Sequence, residues 1–242
     1  MELSIAGHFG EWLQGRLGPN GPVALVTVVC SALQVRATDI ASQPMFSTKQ
    51  LAPFWQTLGL TASAFPNLAY DMPLGAGAGA STATLIAYAR HAGFNGPPER
   101  LIKACLTVEG ASDPLMLPDA DSLLWASREG RIVAQHNRPP ACTVLGGFWG
   151  VPERTDPADS AFPDVADLVE SWATFDDLNS LAAIASASAS RCTSLRGPAD
   201  PMTGLAKSLG AFLPGRHCGV IRIPGHWVEL PEVLTCAGIV GE

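Results

Sequence analysis

Basic side chains are scarce in this chain. Lysine occurs only at Lys49, Lys103 and Lys207, and 15 Lys and Arg stand against 22 Asp and Glu, for a formal net charge of -7. Nucleic-acid surfaces need clustered cations, so no nucleic-acid partner is expected. Long apolar runs are missing too. The longest, residues 23–33, stops at Gln34, about half the length of a bilayer-spanning helix. The N-terminus lacks a basic segment and meets Glu11 early, unlike a secretory leader. No membrane partner is expected, and a soluble, cytoplasmic protein is the reading. Closely spaced cysteines are also absent. The six cysteines are scattered with no CxxC pair, which argues against zinc or disulfide frameworks and for buried thiols in a reducing compartment. The five histidines are equally dispersed, and none is expected to bind metal.

Apolar residues are plentiful. At 47% of 242 residues they exclude general disorder and suffice for a core in one large domain or two small ones. Residues 3–17 read as a short strand and a glycine-rich turn. Residues 23–35 read as a strand after the turn 18–22, and 62–72 as another. Helices are expected over 51–60, 81–92 and 100–109, the last opened by Pro97-Pro98-Glu99. After a composition shift near residue 140, residues 152–164 read as a loop. Residues 165–172, 178–189 and 202–212 read as helices. The chain divides into residues 1–140 and 141–242.

Residues 73–83, PLGAGAGASTA, carry the sharpest signal. Gly75, Gly77 and Gly79 alternate with Ala76, Ala78 and Ala80, and Ser81 and Thr82 open a helix. Small residues let backbone approach a ligand closely, and glycine reaches positive φ. A helix N-terminus adds unpaired N–H groups and the positive dipole end. The combination is a cradle for a polyphosphate. A helix cap with a tight packing turn is the simpler alternative. The Walker A loop is excluded by the lack of a lysine, and the dinucleotide fingerprint by Ala80 in place of its last glycine.

Two further stretches hold candidate polar groups. In residues 6–15, AGHFGEWLQG, Gly10 flanks Glu11, which suits an ammonium, and Gln14, which suits a carboxylate or hydroxyl. In residues 108–116, VEGASDPLM, Glu109 ends a helix and Asp113 follows in a turn, a pairing that suits a metal and a base. Surface turns are the simpler alternatives for both.

Together these segments resemble the GHMP kinase superfamily, which includes galactokinase, homoserine kinase and mevalonate kinase. Its second motif runs from a proline through a glycine-rich turn to two serines. Pro73 to Ala83 follow it, with Ala78 for a large apolar residue and Ala80 for the first serine. The stretch with Gly10, Glu11, Gln14 and Gly15 is similar to the opening of the bacterial L-threonine kinases of cobalamin biosynthesis. Residues 109–113 resemble their E-P-T-D segment with one more residue between the acids.

The resemblance implies an α+β, two-lobed fold. One lobe has the left-handed β-α-β type shared with a ribosomal protein domain, and the other is ferredoxin-like. It implies transfer of phosphate from ATP to a hydroxyl of L-threonine or a related amino acid. ATP would sit on residues 75–82 and Mg²⁺ on Ser81 and Glu109. Asp113 would orient or deprotonate the acceptor, which Gly10, Glu11 and Gln14 would bind. A Lys or Arg near the γ-phosphate is expected, with Lys103 and Arg16 as candidates. The expected partner is a small-molecule substrate; a homodimer is allowed but not specified.

The family's third, glycine-rich segment has only a faint echo in His217-Cys218-Gly219. A reduced C-terminal lobe and an impaired, purely binding protein are both open. A nicotinamide-dependent oxidoreductase would need an acidic ribose ligand, for which Glu99, after two prolines, is the nearby candidate.

Overall fold

A computed structural model of the chain describes residues 3–61, 65–140, 143–148, 156–196, 218–223 and 240–241. Strands β1 (Ser4–Arg16) and β2 (Val23–Ala37) form a long antiparallel hairpin, with Ser4 opposite Arg36 and Arg16 opposite Val23. Its turn depends on glycine. A Cβ on Gly21 would lie 1.8 Å from the Leu17 carbonyl oxygen.

The glycines of β1 do not end the strand, contrary to the sequence expectation. They bend it. Gly10 sits at φ 68, and the register slips between Ala6 and Gly7, His8 and Glu11, and Glu11 and Leu13. These are β-bulges, where an extra residue re-aims the side chains that follow. Glu11 and Gln14 therefore lie on a strand, not on a turn.

Strand β2 is central. β1 covers one edge, while β3 (Leu68–Tyr70) and β4 (Leu123–Ala126) share the other, with β5 (Arg131–Gln135) beyond β4. Of the described residues in the strand expected over 62–72, only 68–70 form one, β3; residues 65–67, 71 and 72 are not strand. The β4–β5 hairpin was not anticipated. Its four-residue connection ends at Gly130, left-handed at φ 61, where a Cβ would strike Leu106 and Ile102 of the helix beneath.

Helix α1 (Thr48–Leu58) starts earlier than expected because Ser47 and Gln50 form a capping box. It ends at left-handed Gly59. Helix α2 (Ala80–His91) is buried from Ala80 through Ala89 apart from Ser81, which explains its small and apolar side chains. Helix α3 (Pro98–Glu109) begins with a proline in its first turn and stops at left-handed Gly110. The core between sheet and helices includes Phe9, Leu13, Leu33, Phe54 and Leu85, all fully buried. Each contributes roughly 1.5–3 kcal/mol of transfer free energy.

A second, three-stranded antiparallel sheet has β6 (Thr143–Phe148) between β7 (Cys218–Ile223) and β8 (Val240–Gly241). Helices α4 (Ala166–Trp172) and α5 (Leu178–Arg196) pack toward β1. Trp12 of β1 meets Trp172 edge-on at 6.0 Å, and the Gln14 N–H donates to Ser188 Oγ at 2.9 Å. Trp12 is thus a core residue. The helix expected over 202–212 lies outside the described residues. Among the described residues, no helix is long and apolar enough to cross a membrane.

Candidate active site

The glycine loop enters α2 through alternating backbone. Gly75, Gly77 and Gly79 lie at φ 81, 70 and 73, while no alanine between them has positive φ. Alternation of this kind is the backbone pattern from which anion-binding nests are built. Gly79 is the N-cap of α2 and brings no capping side chain. The first-turn amides therefore have no side-chain cap and lie at the positive end of the helix dipole. The loop is strapped to β1 by the His8 N–H, which donates to the Ala78 carbonyl at 3.1 Å.

The next turn of the chain brings hydroxyls onto a carboxylate. The Ser81 hydroxyl donates to Glu109 Oε1, and the Thr82 hydroxyl donates to Oε2 at 3.0 Å. Thr82 Oγ1 also accepts the Asp113 N–H at 3.3 Å. Residues expected to work together from two sequence segments thus share one hydrogen-bonded cluster. Gly110 makes this geometry accessible by ending α3 directly after Glu109.

Asp113 meets β1 through a histidine. His8 Nε2 stands 3.4 Å from Asp113 Oδ2, and His8 Nδ1 stands 3.8 Å from Glu11 Oε1. Burial disfavours the His8 imidazolium, but Asp113 and Glu11 outweigh it and raise its pKa to about 9. Burial raises Glu11 to about 7, with His8 opposing and Asp113 reinforcing the rise. Burial also acts against the Asp113 carboxylate. The charge and hydrogen bond of His8, with Thr82, overcome it and hold Asp113 below its ordinary value.

These groups surround a cavity of about 420 Å³. Its wall includes every residue of 75–82 except Ala76, together with Glu11, Gln14, Glu109 and Asp113. Ala76 is buried with its N–H on the Pro73 carbonyl, and Gly10 serves the bulge rather than the wall. Val23, Leu25 and Phe162 add an apolar side.

Neither expected cation reaches the cavity wall. Arg16 donates to the carbonyls of Pro19 and Gly21, and Lys103 is exposed on α3. Arg128, in the β4–β5 turn, lines the cavity instead. Its Nε donates to the Pro157 carbonyl at 2.6 Å, its Nη2 to the Asp159 carbonyl, and it lies over the Phe162 ring at 5.2 Å. Arg128 was missed because its hairpin was missed. His8 was missed as a site residue, although a histidine between Gly7 and Phe9 in an otherwise apolar strand start was a readable signal.

No family model matches the chain, and no curated protein matches it in sequence. Solved structures do match in shape. A crystal structure of mevalonate kinase aligns over 100% of this chain and 98% of its own, with TM-score 0.61 and 8% identity. The mevalonate kinase of Methanococcus jannaschii aligns over 100% and 96%, with TM-score 0.56 and 9% identity. A phosphotransferase related to the CoA biosynthesis pathway aligns over 92% and 88%, with TM-score 0.51 and 12% identity. The chain shares the α+β fold of these mevalonate kinase structures.

Proposed function

We propose that this protein is an ATP-dependent kinase of the GHMP type that phosphorylates a hydroxyl group of a small molecule, L-threonine or a related amino acid. The observation that carries the reading is one junction. An open helix N-terminus, reached through three left-handed glycines, stands beside Ser81, Glu109 and Asp113. Phosphoryl transfer requires positioning and charge neutralisation more than covalent chemistry, and this junction offers both.

The amides of the loop and of the first turn of α2 would bind the ATP phosphates. Ser81 Oγ and the Glu109 carboxylate bring hard oxygens to one point, a donor set that fits Mg²⁺. Bound there, the ion would neutralise phosphate charge. Arg128 would add a cation from another wall. Asp113, ionised at neutral pH, would orient the acceptor hydroxyl. As that oxygen bonds to the γ-phosphorus, the bond to the β–γ bridging oxygen breaks and ADP leaves. The hydroxyl proton passes to Asp113. Its low basicity suits a loose transition state, where the hydroxyl becomes acidic only as its new bond forms.

The amino-acid acceptor is supported by Glu11, whose side chain keeps 19% exposure at the cavity. A carboxylate there fits an ammonium group. The test is ADP release from ATP and Mg²⁺ with a panel of acceptors. Turnover with threonine, serine or homoserine is expected. Silence with these and with sugars and isoprenoid alcohols overturns the activity. Nucleotide binding without transfer is the second reading, favoured by Ala80 at the position of the family's first serine. An ATP analogue that binds without any acceptor ever supporting turnover would select it.

A further inference from the structure

His8 is a buried ionisable side chain at this site with no task in the transfer scheme above. It is 2% exposed, and its Nδ1 is buried without a hydrogen-bond partner. We infer that His8 is a positioning residue: its imidazole, wedged between Asp113 and Glu11, ties the acceptor side of β1 to the acidic loop after α3. It thereby fixes the Asp113 carboxylate at the reacting end of the cavity. The claim about geometry is independent of the kinase reading; the claim about turnover rests on it.

Three features build the wedge. In a regular strand, residues three apart point to opposite faces. The bulge at left-handed Gly10 shifts the register between His8 and Glu11 and brings both side chains to one side. Second, the ring has one berth. A Cβ on Gly79 would lie 2.6 Å from His8 Cδ2 and 2.9 Å from Leu115 Cδ1, so the loop glycine is shaped to the imidazole. Third, a Cβ on Gly7 would lie 2.6 Å from the Ala78 carbonyl oxygen. The close approach of β1 and the phosphate loop, sealed by the His8 N–H, therefore requires glycine at both contacts.

Charge completes the case. The titratable groups facing the ring are Asp113, from the loop after α3, and Glu11, from its own strand; Gly79 and Leu115 pack there without charge. Without a cation between them, two carboxylates would repel across one small, poorly solvated space. A protonated ring gives each nitrogen a carboxylate to face. A neutral ring turns a lone pair instead of an N–H toward one of the two carboxyl groups.

The test has two arms. In nitrogen-edited NMR of the full chain, the His8 ring should stay doubly protonated through pH 8. Asp113→Asn should bring its titration below pH 7, and Glu11→Gln should lower it by less. A His8 that titrates near its ordinary value and ignores Asp113→Asn overturns the inference, and this arm needs no turnover and no His8 variant. In the second arm, His8→Gln should lower kcat about tenfold or more and displace the acid limb of the pH profile upward by about one unit. The KM for ATP should stay within about twofold. An unchanged pH profile in a folded His8→Gln protein also overturns the inference. NMR coupling in a protein without any turnover supports the wedge and removes the kinase reading instead.

Discussion

Asp113 is the residue on which transfer should depend most. Its carboxylate is held ionised by His8, and its backbone is held by Thr82. Asp113→Asn keeps the shape and removes the charge. Turnover should fall by about 100-fold or more, the range of a lost general base. Equilibrium binding of ATP should change little, because the proposed phosphate cradle lies on other residues. Comparing kcat with nucleotide affinity in the variant checks both halves.

The same cluster should give stability a pH signature. His8 has a higher pKa folded, about 9, than its ordinary 6.5. Its proton therefore stabilises the native state fully below about pH 6.5, and that contribution fades as pH rises through 9. The shift corresponds to an order of 3 kcal/mol. Glu11, raised to about 7, works in the same direction: folding weakens as it ionises between 4.5 and 7. Asp113 is depressed, so its contribution is lost only as pH falls into the acid range. Thermal unfolding should show a midpoint that declines from pH 6 to 9.5, and His8→Gln should flatten most of the decline above pH 7.

At the scale of elements, the glycine loop and its neighbours make separable demands. Gly77 and Gly79 are both left-handed, but a Cβ on Gly77 meets nothing within 4 Å while one on Gly79 meets His8 and Leu115. Gly77→Ala should cost only backbone strain, about 1–2 kcal/mol. Gly79→Ala should cost that and also displace the ring, so its unfolding midpoint and nucleotide affinity should both fall further. Equal losses in the two variants would show that the loop and β1 do not interlock here. Arg128 lies in the β4–β5 turn and braces the segment carrying Pro157 and Phe162. Arg128→Ala should lower kcat/KM about tenfold or more, with Arg128→Lys recovering part of the loss.

The local elements were legible in the sequence for local reasons. Alternating glycines, a proline in a first turn and a glycine after Glu109 are signals that chain neighbours suffice to explain, so the glycine loop, α2 and α3 stood out. The bulges of β1 were not legible, because Gly7, Gly10 and Gly15 promise a turn until β2 is paired alongside. The β4–β5 hairpin was hidden for a similar reason. Its four- and five-residue strands alternate poorly, β4 being buried on every residue. Its turn is specified by packing on Leu106 and Ile102. Arg128 went unseen with it, and distant Lys103 and Arg16 stood in its place.

At the scale of the whole molecule, an acidic chain gathers Glu11, Glu109 and Asp113 around one cavity, with His8 and Arg128 as the cations on its wall. That balance favours a ligand that brings polyphosphate to the amides and a cation to the carboxylates. The fold was legible only through the resemblance of its motifs, since periodicity indicates mixed α and β but cannot order strands. The shared fold with mevalonate kinase at 8% identity has the same physical basis. Many side chains can fill such a core, whereas the approach of loop, strand and helix end is fixed by a few glycines. The central claim is that the loop before α2 is a nucleotide-phosphate cradle. A crystal structure with a non-hydrolysable ATP analogue and Mg²⁺ tests it most directly. The account predicts phosphate density on the amides of residues 77–82, with Ser81 and Glu109 facing the ion. Phosphates bound elsewhere, or an empty loop at saturating analogue, would contradict it.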